Sequence, residues 1–182
     1  MAYTIPVNRN THQIPELIRA EQDIVYRAKK FAVKYHGDQK YGGEFPYAIH
    51  LQAVESVLLR FNIFDVDLRA AAWLHDTLED TTARYEDIET LFNARVAGIV
   101  GALTEPKGGN RAWRHEQTYP KIRLSVDAVI VKLADRIANV ESGGSLNDMY
   151  RKEYPSFKRA LYREDDIPHV LAMWSYLDTL LV

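Results

Sequence analysis

An all-α bundle of roughly eight helices is the fold class this sequence predicts. Helical periodicity runs through most of the chain, strand-like alternation is scarce, and a 47% hydrophobic content over 182 residues suits one sizeable core. A single domain, 1–182, is expected, with its chemistry between residues 24 and 139 and the C-terminal helices from 146 to 182 completing the bundle.

The elements follow in order. Leu17, Glu21, Ile24, Ala28, Phe31 and Tyr35 step by four and three and make a mostly apolar stripe, with Pro15 near the helix start and Gly37 near its end. The stretch "GDQKYGGEFP" reads as a loop. A second helix is expected from Tyr47 to about Phe61, and a third from an Asp65 N-cap through "AAWLHDTLED". "YEDIETLFN" and "VAGIVGALT" give a fourth and a fifth. Residues 105–120, with "KGGNRAWR" inside, read as a polar loop. Another helix is expected from Val126 to Val140, with Val126, Val129, Ile130, Leu133, Ile137 and Val140 on its apolar face and "SGG" after it. Two helical segments close the chain, the last opening at Asp165 or Asp166 with Pro168.

His75, Asp76, Glu79 and Asp80 fall at i, i+1, i+4 and i+5, along one edge of a single helix behind an apolar run. Close carboxylates repel unless a cation gathers them. Alone, this stretch reads equally well as a solvated helix edge. His50, in the apolar start of the second helix, reads alone as a satisfied core histidine. Lys132, Asp135, Arg136 and Asn139 form a polar stripe that also suits a salt-bridged surface. Together, three helices offer two imidazoles and two carboxylates, a donor set for Mn²⁺, Fe²⁺ or Zn²⁺ with positions left for water and substrate.

The order H…HD…D, with "PYAIH", "LHDTLEDT" and "VKLADRIAN" as they stand, resembles the HD superfamily of metal-dependent phosphohydrolases. It is most similar to the alarmone hydrolase branch, meaning the hydrolase domain of Rel/SpoT enzymes and their small single-domain relatives. The resemblance spans about Ile24 to Asn139. It implies His50, His75, Asp76 and Asp135 as metal ligands, with Mn²⁺ the usual ion. It implies Glu79 and Asp80 as the pair that positions and activates water, and Asn139 as a nucleotide contact. His36 matches a recurrent family histidine that is not a ligand and is expected to be structural. The implied reaction removes the 3′-pyrophosphate of (p)ppGpp-like nucleotides.

Departures from the family pattern bear on substrate. A basic "RKSGEPY" stretch is usual, whereas "YGGEFPY" stands here, so the Arg-Lys pair falls on Tyr41 and Gly42, with Lys40 beside them. Tyr41 offers a surface on which either purine stacks. A relaxed or adenine-leaning preference, toward (p)ppApp, is the expectation. Glu141 replaces a usual basic residue and would repel phosphate. Arg111 and Arg114 are the compensating phosphate contacts, and Tyr154 is placed where relatives stack an aromatic on the base.

Net charge is -2, so no general basic field draws nucleic acid or an anionic membrane. There are no cysteines, which excludes disulfides and thiolate metal sites. The first residues have neither the basic start nor the apolar run of a signal peptide, and no stretch reaches transmembrane length. A cytoplasmic hydrolase standing alone, with a small-molecule nucleotide substrate, is the expectation. Other HD nucleotidases, an NADPH phosphatase and a non-catalytic nucleotide-binding module remain alternatives.

Overall fold

The computed structural model describes residues 13–144 and 146–182, and side chains from Ile24 onward. Among these residues it holds ten helical segments, one of them a single turn, and one two-stranded ribbon. The all-α expectation is borne out.

Helix α1 (Gln13–His36) ends at Gly37, whose φ of +52° closes it. Ala28 of its stripe is buried, and Ile24, Phe31 and Tyr35 are partly so; the side chains of Leu17 and Glu21 lie outside the described residues. The loop that follows is not structureless. β1 (Lys40–Tyr41) and β2 (Phe45–Pro46) pair antiparallel, turning at Gly42 and Gly43, both at positive φ. Helix α2 (Ala48–Arg60) follows.

Helix α3 (Val66–Leu74) starts at Asp65, whose carboxylate accepts from the amides of Asp67 and Leu68 at 2.9 and 3.1 Å. Ala70 to Leu74 are all buried, and Trp73 Nε1 donates to Glu55 at 2.7 Å. The expected continuous helix through Asp80 does not form. The chain leaves helical hydrogen bonding at His75 and Asp76, then makes the single turn α4 (Thr77–Asp80). Asp76 takes φ -95°, ψ -3°, a sparsely used conformation common in functional sites. The bend re-aims the residues that a straight helix would have strung along one edge.

Helices α5 (Tyr85–Leu91) and α6 (Ala94–Leu103) follow. The expected 105–120 loop is corrected. Only 104–110 is loop, and helix α7 (Arg111–Arg123) occupies the rest. Asn110 caps it by accepting from the Trp113 amide at 2.9 Å. Gly109, at φ +62°, leaves room for the Trp113 ring that a Cβ there would strike. Pro120 sits inside α7 because it and Glu116, whose carbonyl loses its partner, both face solvent.

Helix α8 (Val126–Glu141) is the centre of the bundle, packed against α2, α3, α6, α7, α9 and α10. It is buried nearly all round, Asp135 and Arg136 included. Val126 is the exception to its expected face, since the helix start is exposed there. Helix α9 (Asn147–Leu161) and helix α10 (Pro168–Leu181) close the bundle. Ile167, not Asp165 or Asp166, is the N-cap of α10, and Asp165 instead pairs with Arg163. Trp174 packs within the chain, and Tyr176 packs on Phe61. No described helix is long and apolar enough to cross a membrane.

Arg95 of α6 ties Asp65 and Asp127 together at 2.8 Å each, linking the starts of α3 and α8. Asp65→Ala, which removes the cap and one arm of this link, is expected to cost about 1–2 kcal/mol in urea unfolding, mostly through the cap.

Candidate active site

Four side chains from three places in the chain meet. His50 comes from the first turn of α2, His75 and Asp76 from the α3–α4 bend, and Asp135 from the middle of α8. His50 Nε2 lies 3.4 Å from His75 Nε2, 3.4 Å from Asp135 Oδ1 and 3.6 Å from Asp76 Oδ2. His75 Nε2 lies 2.9 Å from Asp76 Oδ2 and 3.7 Å from Asp135 Oδ1. His50, His75 and Asp76 each offer a ligand atom within 4.8 Å of the others.

The donor set fits a divalent cation. His75 Nδ1 donates to the Ala72 carbonyl at 2.9 Å, which leaves Nε2 with its lone pair toward the cluster. Two imidazole nitrogens and two carboxylates facing one small volume are mutually repulsive until positive charge enters. Without an ion, protons must do that work. Burial opposes charge on His75, yet the Asp76 and Asp135 carboxylates outweigh it and hold the imidazole well above its usual range. Burial likewise opposes charge on Asp135, but Lys132, at 3.1 Å, and the two imidazoles hold it well below the usual carboxylate range.

Lining groups surround this cluster. A cavity of ≈210 Å³ is bounded by the ligand-type residues His50, Asp76 and Asp135, by Glu79, and by the cations Arg111, Arg114, Lys132 and Arg136. Glu79 accepts from the Glu105 amide at 3.0 Å, and burial, then the neighbouring Asp76, raises its carboxyl above the usual range. Asp80 does not line the cavity. It stands exposed at the rim and accepts from Gln39 Nε2 at 2.9 Å. Asn139 donates to Asp135 at 2.5 Å and accepts from the Tyr41 hydroxyl at 3.0 Å. The Tyr41 ring stacks on His50 at 4.8 Å, so one of its faces is already covered.

Three sequence expectations change. Lys40, the strand neighbour of Tyr41, faces solvent away from the cavity, as strand alternation requires. Tyr154 is buried on α9 with its hydroxyl on Asp178 at 2.6 Å; Tyr150, one turn earlier, lines the cavity instead. Glu141 is turned onto Arg60 and Tyr176, so it does not face the cavity. Arg111 and Arg114 do face it, each held by a carboxylate: Arg111 by Glu153 at 2.6 Å and Arg114 by Glu105 at 2.8 Å.

Tyr47 was missed from the sequence. Its hydroxyl donates to Asp76 Oδ2 at 2.6 Å, and burial together with that carboxylate raises the phenol far above its usual range, keeping the donor protonated. Its place three residues before His50, on the same helix face, was the available signal. A larger cavity of ≈540 Å³ between α7 and α9 is mostly apolar and holds none of the four converging groups. On its wall, His115 is pushed down to about 4 by burial and by the charge of Arg111.

Residues 28–163 match the HD domain family model. The guanosine-3′,5′-bis(diphosphate) 3′-pyrophosphohydrolase of Aquifex aeolicus is 34% identical over 83% of this chain and 22% of its own length. The guanosine-3′,5′-bis(diphosphate) 3′-pyrophosphohydrolase MESH1 of Danio rerio is 35% identical over 64% of this chain and 67% of its own. The chain thus spans about a fifth of the Aquifex relative and two thirds of the Danio one. A solved structure of a metazoan ortholog of SpoT that hydrolyzes ppGpp superposes with a TM-score of 0.71 at 24% identity, covering 97% of this chain and 98% of that one.

Two outcomes follow. Mn²⁺ at a hundred times its dissociation constant is expected to stabilise the protein by about 2.7 kcal/mol, read as a rise in thermal midpoint, and Asp135→Asn to abolish the rise. His115 titrates lower in the fold than in the unfolded chain, so its stabilising share is whole above about pH 6.5 and is lost as pH falls toward 4. Between those pH values the native protein is expected to lose on the order of 1–2 kcal/mol more than His115→Gln in denaturant titrations.

Proposed function

This chain belongs to the HD domain family, and from that premise we propose that it is a manganese-dependent, cytoplasmic 3′-pyrophosphohydrolase of alarmone nucleotides. The observation that carries the reading is the meeting of His50, His75, Asp76 and Asp135 beside one cavity that also holds a half-buried carboxyl, Glu79, and four cationic side chains. The names of the Aquifex and Danio relatives supply the reaction class.

In this reading His50, His75, Asp76 and Asp135 hold the ion. When bound, a divalent ion neutralises phosphoryl charge and makes water easier to deprotonate. The chain's own groups do the remainder. Glu79 accepts the proton of the attacking water; its raised carboxyl is a better base near neutral pH than an exposed glutamate. Asp80 assists from the rim. Water adds to the phosphorus attached to the 3′-oxygen, the 3′ O–P bond breaks, and the 3′-oxygen leaves with a proton. Pyrophosphate and the nucleoside 5′-diphosphate or 5′-triphosphate are the products.

Substrate phosphates would compete with Glu153 and Glu105 for Arg111 and Arg114, gaining charge-assisted hydrogen bonds as they do. Asn139 and Tyr41 stand where a nucleoside would be held, and Tyr150 takes the aromatic role first expected of Tyr154. Lys40 is too far out to fix guanine, which supports a relaxed or adenine-leaning base preference.

Pyrophosphate, and not orthophosphate, is the expected product with Mn²⁺; orthophosphate release would favour a phosphatase instead. Glu79→Gln is expected to lower kcat at least about a hundredfold while preserving the Mn²⁺-dependent rise in thermal midpoint. Turnover of (p)ppApp is expected to match or exceed that of (p)ppGpp, and a large guanine preference would defeat the base assignment.

A further inference from the structure

We propose that Tyr47 and Gln39 are positioning residues for Asp76 and Asp80, and that the His36 imidazole sets both. This rests on the functional reading above.

The three residues come from the end of α1, the turn after it and the first residue before α2. His36 is buried, and its ring stacks on Tyr47 at 4.5 Å and 21°. Tyr47 in turn packs edge-on to His50 at 5.6 Å and sends its hydroxyl to Asp76 Oδ2 at 2.6 Å. The Asp76 oxygen that it holds is the one 2.9 Å from His75 and 3.6 Å from His50, so the phenol fixes the oxygen that faces the candidate ion.

The second arm runs through Gln39. Its Nε2 donates to Asp80 Oδ2 at 2.9 Å, and its Oε1 lies 2.8 Å from His36 Nδ1. A carboxylate only accepts, so the amide nitrogen must face Asp80 and the amide oxygen must face His36. The proton between His36 and Gln39 therefore sits on Nδ1. That tautomer orients the amide, and the amide orients Asp80. Asp80 is exposed, and Gln39 is the side chain that holds its Oδ2. Hydrogen bonds to the partners of a metal site commonly change ion affinity or activity tenfold or more.

The arms separate experimentally. Tyr47→Phe is expected to raise the Mn²⁺ dissociation constant about tenfold by calorimetry. Gln39→Met is expected to lower kcat about tenfold with KM and Mn²⁺ affinity unchanged. His36→Phe keeps a ring on Tyr47 and removes the donor, so it is expected to follow Gln39→Met. His36→Asn keeps a donor and removes the ring, so it is expected to follow Tyr47→Phe. A Tyr47→Phe protein with native Mn²⁺ affinity overturns the proposal, as does a Gln39→Met protein with native kcat. Variants that shift only the thermal midpoint show a merely structural role and overturn it too. If the native protein binds Mn²⁺ but hydrolyses no alarmone, the functional reading fails, and the Tyr47 arm is decided by ion affinity alone.

Discussion

The site is organised around one buried carboxylate. Asp135 sits in the middle of α8, the helix against which α2, α3, α6, α7, α9 and α10 all pack. A charge in that position is costly unless partners surround it. Here Lys132 and Asn139 from the same helix and two imidazoles from elsewhere do so, and the imidazoles bring two other parts of the chain to the same point. Asn139 carries the constraint out to Tyr41 and the ribbon, while His50 and His75 carry it to α2 and to the end of α3. The helices are packed by apolar burial, but this polar knot fixes where the site lies.

Charge balance around the knot is close. Asp76, Glu79, Asp135 and Glu105 face Arg111, Arg114, Lys132 and Arg136 across a cavity of ≈210 Å³. The arginines are pre-oriented by carboxylates: Arg111 and Arg136 share Glu153, and Arg114 holds Glu105. Glu105 also presents its backbone amide to Glu79, so one loop residue orients both Arg114 and the Glu79 carboxyl. Arg136 is almost wholly buried under Tyr150 and Phe157, which makes it a fixed field source in the cavity wall.

How much of this the sequence disclosed follows from the physics of each signal. Apolar periodicity marked α1, α2 and α8 because each buries a continuous stripe. α7 escaped because most of its residues are polar and it carries Pro120, so only the Asn110 cap announced it. The break at His75 left no clear mark because no Gly or Pro stands there, and the modest helix propensities of His75, Asp76 and Thr77 are a weak signal inside an apolar-periodic stretch. The four converging groups were legible as a pattern across three helices, and the structure brings both carboxylates within 3.7 Å of the two imidazoles. The rim was not. Lys40 and Tyr41 are adjacent in sequence yet face opposite ways, and Tyr150 and Tyr154 differ by one turn, which chain spacing alone does not resolve. Tyr47 stood beside the motif, but a hydroxyl's partner lies across the fold and leaves no local trace.

The claim most exposed to test is that these four groups bind one divalent ion. Crystals grown with Mn²⁺, measured at a wavelength where manganese scatters anomalously, give a direct answer. The account predicts a single anomalous peak roughly 2–2.5 Å from ligand atoms of His50, His75, Asp76 and Asp135. A peak bound elsewhere, or an ordered cluster with no peak at saturating Mn²⁺, would contradict it.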